Sequence, residues 1–406
     1  MAESRRADDR PAPAAAIGAL AANFGVIEAS KIARGAWDET LTGRELYLDA
    51  ANHTYDVTDY ARQPDCRFDH EHLEVESLGD VTLAEALALA LPADEPDPAA
   101  ELSFGEDVFA GCIRCNHCGR QRAIWKPLTR VSPAEQSCPA CGRRHFFAGV
   151  ELQDVLTAAS TPSELRSRSL SELGIAVGDI ITIRAHGSVR HFEIAEKSQD
   201  PPAEKPGVSR GVRVALFGCG NIGSHTIPLI PRIPGLEGVL LVDPDSYEAR
   251  NLSGQDIRPG DLGRAKVSVQ AERLRAIAPG LAVETVAAPL ESLPLGRLRN
   301  HILLGALDSL RARQSLNTIA FRIGEPWIDL AVGTEGLVCR ATVYRPGPES
   351  ACIECRWDDG DYARIEDRVS CIDHSHDAAS QETRGRNETT PITAQIEPIV
   401  SQQRDC

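Results

Sequence analysis

Residues 213–223 read Arg-Val-Ala-Leu-Phe-Gly-Cys-Gly-Asn-Ile-Gly. Residues 213–217 form the apolar run of a buried strand. Gly218, Gly220 and Gly223 follow at G-x-G-x-x-G spacing, and a helical segment comes next. Glycines at these places let the backbone approach a phosphate, and a following helix start favours an anion. A second apolar strand, Val239 to Val242, ends at Asp243, twenty residues past Gly223, where an acid can bind ribose hydroxyls. Alone, this pattern suits NAD, FAD or ATP, or a tight turn with no ligand.

The next residues separate these choices. Asp243, Asp245, Asn251 and Gln255 follow the second strand, and Lys266, one of only five lysines, opens the next helical pattern. A strand-like stretch ends at Asp308, with Arg313 and Asn317 on the helix after it. A polyphosphate with Mg²⁺ needs this mixture of cations for phosphate charge and a carboxylate for the metal.

The rest of the chain bounds the reading. Its 406 residues suggest two or three domains. Apolar residues make up 42% and charged residues 25%, which is ordinary for a soluble protein. No run of eighteen apolar residues predicts a membrane span, and no signal peptide is read at the start. The net charge of −16 disfavours a nucleic-acid face. Residues 11–34 carry Ile17, Leu20, Phe24, Ile27 and Ile32 near a helical period, and 44–60 alternate like a hairpin. Thr82 is placed to cap a short helix. Stretches 92–101 and 198–207 read as linkers, and beyond the second the texture becomes that of a parallel α/β sheet. Residues 175–196 predict a β-hairpin, as a plain connector or part of a small β module.

Cysteine is the other informative residue, with twelve in the chain. Close pairs in a large chain without an export signal point to metal sites in a reducing cytosol, hence a cytoplasmic protein. Cys115-Asn-His-Cys118-Gly and Cys138-Pro-Ala-Cys141-Gly are two knuckles whose pairing closes a Cys₄ zinc ribbon. Cys112 is spare. Cys219 and Cys339 read as packing residues.

The ordered set of Gly218, Gly220, Gly223, Asp243, Asp245, Asn251, Leu252, Gln255, Lys266 in Gly263-Arg-Ala-Lys, and Asp308 resembles the ubiquitin-activating-like adenylyltransferases of the ThiF/MoeB type. The resemblance implies an α/β, Rossmann-like, mostly parallel sheet, with the zinc ribbon inserted and a small β module beside it. It implies that Asp243 binds the ribose of ATP, that Asn251 and Lys266 bind phosphate, and that Asp308 binds Mg²⁺. It implies adenylation of the C-terminal carboxylate of a ubiquitin-like or sulfur-carrier protein, and a homodimer. The family arginine of N-L-x-R-Q is Gly254 here, with Arg250 or Arg258 as substitutes. If neither substitutes, a degenerate nucleotide-binding scaffold is the alternative; an NAD-dependent oxidoreductase is a more distant one.

The same resemblance makes Cys352-Ile-Glu-Cys355 one half of a second zinc site, whose other half the family carries near its C-terminus. Here Cys66 and His70 (or His72) stand in the matching context near the start, and residues 389–403 look like a second copy of the helix at 11–32. Both ends carrying one element suggests circular permutation or excision from a tandem. The alternative leaves Cys66 a free thiol and the first eighty residues packed elsewhere. Cys371 lies where several family members carry a nucleophile, with His374 and His376 nearby; an exposed loop thiol or a further metal ligand are the other readings. The expected parts are 1–91 as the family's C-terminal portion, 105–150 the ribbon, 151–197 the small β module and 208–406 the adenylation domain.

Overall fold

The computed structural model describes residues 14–365, apart from 90–98, 106, 133, 144–149, 186, 197–210 and 334–336. In chain order, helix α1 (Ala14–Ala33) leads to strands β1 (Arg44–Asp49) and β2 (Thr54–Asp59), then β3 (Val75–Leu78), α2 (Leu83–Ala88) and β4 (Glu101–Ser103). Strands β5 (Phe109–Arg114), β6 (Gln121–Pro127) and β7 (Val150–Gln153) follow, then β8 (Leu156–Thr157), α3 (Ser163–Arg166), β9 (Ile180–Ala185) and β10 (Ser188–Ile194). The last part holds β11 (Val212–Phe217), α4 (Asn221–Thr226), β12 (Leu236–Val242), α5 (Lys266–Ile277), β13 (Ala282–Val286), β14 (His301–Gly305), α6 (Leu310–Ile323), β15 (Trp327–Val332) and β16 (Val338–Tyr344).

The large sheet runs β13-β12-β11-β14-β15-β16-β1-β2. Its first five strands are mutually parallel, and the last three pair antiparallel. Every residue of β14 is buried, as is 214–217 of β11, matching continuous apolar runs covered on both faces. The expected α/β class is therefore present, and the predicted hairpin at 44–60 forms its far edge.

Helix α1 packs on this sheet through Ile17, Phe24 and Ile32 of the predicted face, while Leu20 and Ile27 turn out to be exposed. Ile17, Ala21, Ala22, Val26, Ala29 and Ile32 are buried. Small residues contribute beside these larger ones. A Cβ on Gly25 would lie 2.5 Å from Leu330 Cδ1, so the helix backbone sits directly on β15. By length and composition α1 is apolar enough to cross a membrane, yet half of that window is buried in this core.

The predicted hairpin at 175–196 is not a plain connector. It belongs to a five-stranded sheet in the order β3-β10-β9-β4-β8, where β3 pairs parallel with β10. Strand β3 and helix α2 thus lie with the small β module, although their place in the sequence grouped them with residues 1–91. Thr82 caps α2 as expected, in a reciprocal box with Glu85.

The chain divides into two compact units, and residues 110–125 and 131–153 belong to the second. There β6, β5 and β7 form a three-stranded sheet.

Candidate functional site

The carboxyl ends of β11, β12, β14 and β15 open onto a crevice of about 630 Å³. Its lining includes Gly218, Gly220, Asp243, Asp245, Arg250, Asn251, Gln255, Lys266 and Asp308. Residues far apart in the sequence thus converge, because parallel strands deliver every following loop to one sheet edge.

The three glycines do different work. Gly218 has φ +91°, and a Cβ there would lie 2.4 Å from the Ala306 carbonyl oxygen. Gly223 does not line the crevice; its Cβ would meet the Gly218 carbonyl oxygen at 1.9 Å, so it permits close packing of α4. Gly220 faces open space and leaves room for a ligand; a Cβ there would come no nearer than 3.8 Å to Gln255 Nε2. Gln255 Oε1 is buried without a hydrogen-bond partner, which a ligand donor would satisfy.

Asp243 is fixed from both sides. It accepts hydrogen bonds from the amides of Cys219 (2.7 Å) and Asp245 (2.8 Å). Burial pushes its carboxyl upward against these two bonds. Lys266, at the first turn of α5, places Nζ 2.8 Å from Asp245 Oδ2 and 3.9 Å from Asp243 Oδ1. Its ammonium is held by these acids at the lining of the crevice. Asn251 Oδ1 accepts from the Glu248 amide, so its carbonyl is spent on the local turn.

Arg313 and Asn317, on the helix after Asp308, each have partners within the fold. Arg313 is buried and bound to Asp329, and also donates to the Leu330 carbonyl at 3.1 Å. It lines the crevice, but its guanidinium braces β15. Asn317 lies on the far side of α6, where Oδ1 accepts from the Ile353 amide at 3.3 Å. Of the two candidates for the missing arginine at Gly254, Arg250 lines the crevice and Arg258 does not. Arg250 is paired with Glu248 at 2.8 Å, but both side chains are largely exposed, so the pair is weak.

Tyr247 carried no signal in the sequence. Its hydroxyl donates to the Cys219 carbonyl at 2.7 Å and accepts from Gln270 Nε2 at 2.8 Å, clamping the glycine turn from α5. The segment Pro289-Leu290-Glu291, also lining the crevice, was missed as well. Its only signal was position, directly after the strand beside β12.

Two groups of cysteine and histidine are arranged as metal ligands. Cys66, His70, Cys352 and Cys355 place their ligand atoms within 4.8 Å of one another. The edges are 3.7 Å for Cys66–Cys352, 3.8 Å for Cys352–Cys355 and 3.5 Å for Cys355–His70 Nε2. Tetrahedral Zn²⁺ with Zn–S of about 2.3 Å and Zn–N of about 2.0–2.1 Å requires edges of about 3.8 and 3.5 Å. The ligand atoms are therefore spaced to fit this ion. His72 is not part of the group; its Nδ1 lies 3.4 Å from the Phe321 carbonyl oxygen. Helix α6 holds both halves: Arg322 grips Asp69 at 2.7 Å, and Gln314 donates to Glu354 at 3.0 Å.

In the second unit, Cys115, Cys118, Cys138 and Cys141 form the other group. Both Cys115–Cys141 and Cys118–Cys138 measure 3.6 Å. The knuckles are near copies: Gly119 and Gly142 have positive φ and donate to the carbonyls of Cys115 and Cys138, each at 2.8 Å. Cys112 is buried outside the group, and Cys219 and Cys339 are core residues. Cys371, His374, His376 and residues 389–403 lie outside the described residues.

Residues 208–390 match the ThiF family. Ubiquitin-like modifier-activating enzyme 5 of Rattus norvegicus is 28% identical over 161 residues, covering 36% of this chain and 39% of that protein. The same enzyme of Dictyostelium discoideum is 26% identical over 160 residues, covering 36% and 42%. The match thus spans about two fifths of the length of these relatives. Among solved structures, E. coli MccB with ATP is 22% identical with a TM-score of 0.30, covering 40% of this chain and 48% of that one.

Proposed function

We propose, from the match of residues 208–390 to the ThiF family, that the protein uses ATP to adenylate the C-terminal carboxylate of a ubiquitin-like or sulfur-carrier protein. The observation that carries this reading is the convergence of Gly220, Asp243, Lys266 and Asp308 on one crevice. The relatives named as activating enzymes of a ubiquitin-like modifier support the choice of substrate.

The chemistry joins two anions, so the site must offset their repulsion. A carrier carboxylate oxygen attacks the α-phosphorus; the acyl–adenylate bond forms, and pyrophosphate leaves with the bridging oxygen. Asp243 binds the ribose and fixes the nucleotide in register. Gly220 lets the main chain approach the phosphates. Lys266 exchanges Asp245 for phosphate oxygens, and Arg250 takes the place of the family arginine at the crevice mouth. Asp308, exposed at the end of β14, would hold Mg²⁺, which when bound offsets phosphate charge. Because Arg250 lines the crevice, an active site is favoured over a degenerate scaffold.

Finer features belong to the same proposal. A thiolate at Cys371 would attack the acyl carbon, form a thioester and release AMP. The two cysteine-containing groups would each hold a structural Zn²⁺. The union of α1, β1 and β2 with β11–β16 supports reading the N-terminal stretch as the family's usual C-terminal part, displaced by permutation. A homodimer is the expected assembly.

The test is ATP–pyrophosphate exchange in the presence of a panel of ubiquitin-like and sulfur-carrier proteins. Lys266→Ala and Asp308→Ala should each lower exchange by about 10²–10³-fold, the usual loss on removing a group that stabilises developing charge, while the melting curve is retained. Exchange like that of the unaltered chain in either variant contradicts the assignment.

A further inference from the structure

Resting on the reading of the crevice as an ATP site, we infer that Glu291 is the residue that selects adenine, by accepting a hydrogen bond from the exocyclic amine of the base. The strand order β13-β12-β11-β14 places the glycine turn after β11 and the segment after β13 on opposite sides of Asp243, which follows β12. The Asp243 amide donates to the Val286 carbonyl at 3.2 Å, so the chain leaving β13 begins beside the ribose acid. A nucleotide with its ribose at Asp243 and its phosphates toward Gly220 must send its base the other way, over β12 toward residues 287–291.

That end of the crevice is built for a flat apolar group. Val242, Pro244, Pro289 and Leu290 line it, and Leu290 is buried. From 287 to 291 the chain reads Ala-Ala-Pro-Leu-Glu, so Glu291 brings the segment's sole polar side chain. Among the described residues, its carboxylate is engaged by no hydrogen bond or ion pair. Its acceptors are unspent.

An ionised carboxylate only accepts. Adenine presents an amine at C6 and can donate to it. Hypoxanthine and guanine present a carbonyl at the same position, so a carboxylate fixed opposite C6 faces another acceptor, their N1–H donor lying one ring atom away. The discrimination comes from the unpaired polar group in the wrong complex. A hydrogen bond to a charged group is commonly worth about tenfold or more in affinity.

The experiment is calorimetric titration of ATP and ITP, with Mg²⁺, into the full chain and into Glu291→Gln and Glu291→Ala. The side chain is exposed, and melting curves confirm that both variants fold. The unaltered chain should bind ATP about tenfold or more tightly than ITP. Glu291→Gln, whose amide can donate to O6, should bring the two affinities together or reverse them. Glu291→Ala should weaken ATP without improving ITP. An unaltered chain that binds both equally, or a Glu291→Gln variant that keeps the original ratio, overturns the inference while leaving the ATP site standing. An unaltered chain that binds neither nucleotide overturns both.

Discussion

Replacing His70 with alanine should cost the protein one zinc ion and a large part of its thermal stability. The four ligands span residues 66 to 355, and the edges of 3.7, 3.8 and 3.5 Å match a tetrahedron around Zn²⁺. An ion that binds only the folded chain stabilises it by RT ln(1 + [L]/Kd), or about 4 kcal/mol when free zinc stands a thousandfold above Kd. At about 2–4 °C per kcal/mol for a domain of 150–250 residues, and less for the larger unit that carries this group, that is a loss of at most about 8–16 °C. Three thiols remain in His70→Ala, but the tetrahedron is open and the affinity falls. The assay is zinc content by mass spectrometry with scanning calorimetry, before and after chelation. The unaltered chain should carry two zinc ions, His70→Ala one, and Cys138→Ser the other one. A His70→Ala protein that keeps two ions and the original melting temperature refutes the assignment of His70 as a ligand.

Other outcomes follow from single contacts. Gly223→Ala places a methyl 1.9 Å from the Gly218 carbonyl oxygen. Backbone must shift, so the variant should lose ATP affinity and melt lower; an unaltered titration contradicts the packing role. Burial lowers the imidazole pKa of His301, whose Nδ1 lies 3.0 Å from the Arg299 carbonyl oxygen. A base depressed in the fold binds fewer protons there than in the unfolded chain, so its contribution is complete above about pH 6.5 and is lost as pH falls below it. Urea titrations at pH 7.5 and 5.5 should show that loss, and His301→Asn should reduce it; an equal loss in the variant excludes His301 as the source.

The crevice was legible because its chemistry is written as spacing. Three glycines, an acid after the next strand, a rare lysine and a strand-ending Asp308 each announce themselves locally, and parallel strands then bring them together. The Cys115–Cys141 group was legible for the same reason, since each knuckle is a local turn. What was not legible depended on distant partners. Arg313 looked like a phosphate cation until β15 supplied Asp329. Asn317 found its use at Ile353, away from the crevice. Helix α1 was recognised, and Ile17, Phe24 and Ile32 do face the core, but close approach to β15 puts Gly25, Ala22 and Ala29 there in place of the bulky Leu20 and Ile27. Strand β3 has four residues and pairs with a strand more than a hundred positions later, which no local pattern announces. Pairing of Cys66 and His70 with Cys352 and Cys355 came from resemblance, not from spacing.

The crevice between Gly220 and Asp308 is proposed to take a nucleoside triphosphate with its metal. Titration of ATP and NAD into the full chain, each with and without Mg²⁺, tests it directly. ATP should bind saturably, more tightly with Mg²⁺ and not at all in Lys266→Ala, with no comparable binding of NAD. Binding of NAD in preference to ATP, or ATP binding that neither Mg²⁺ nor Lys266→Ala alters, would contradict it.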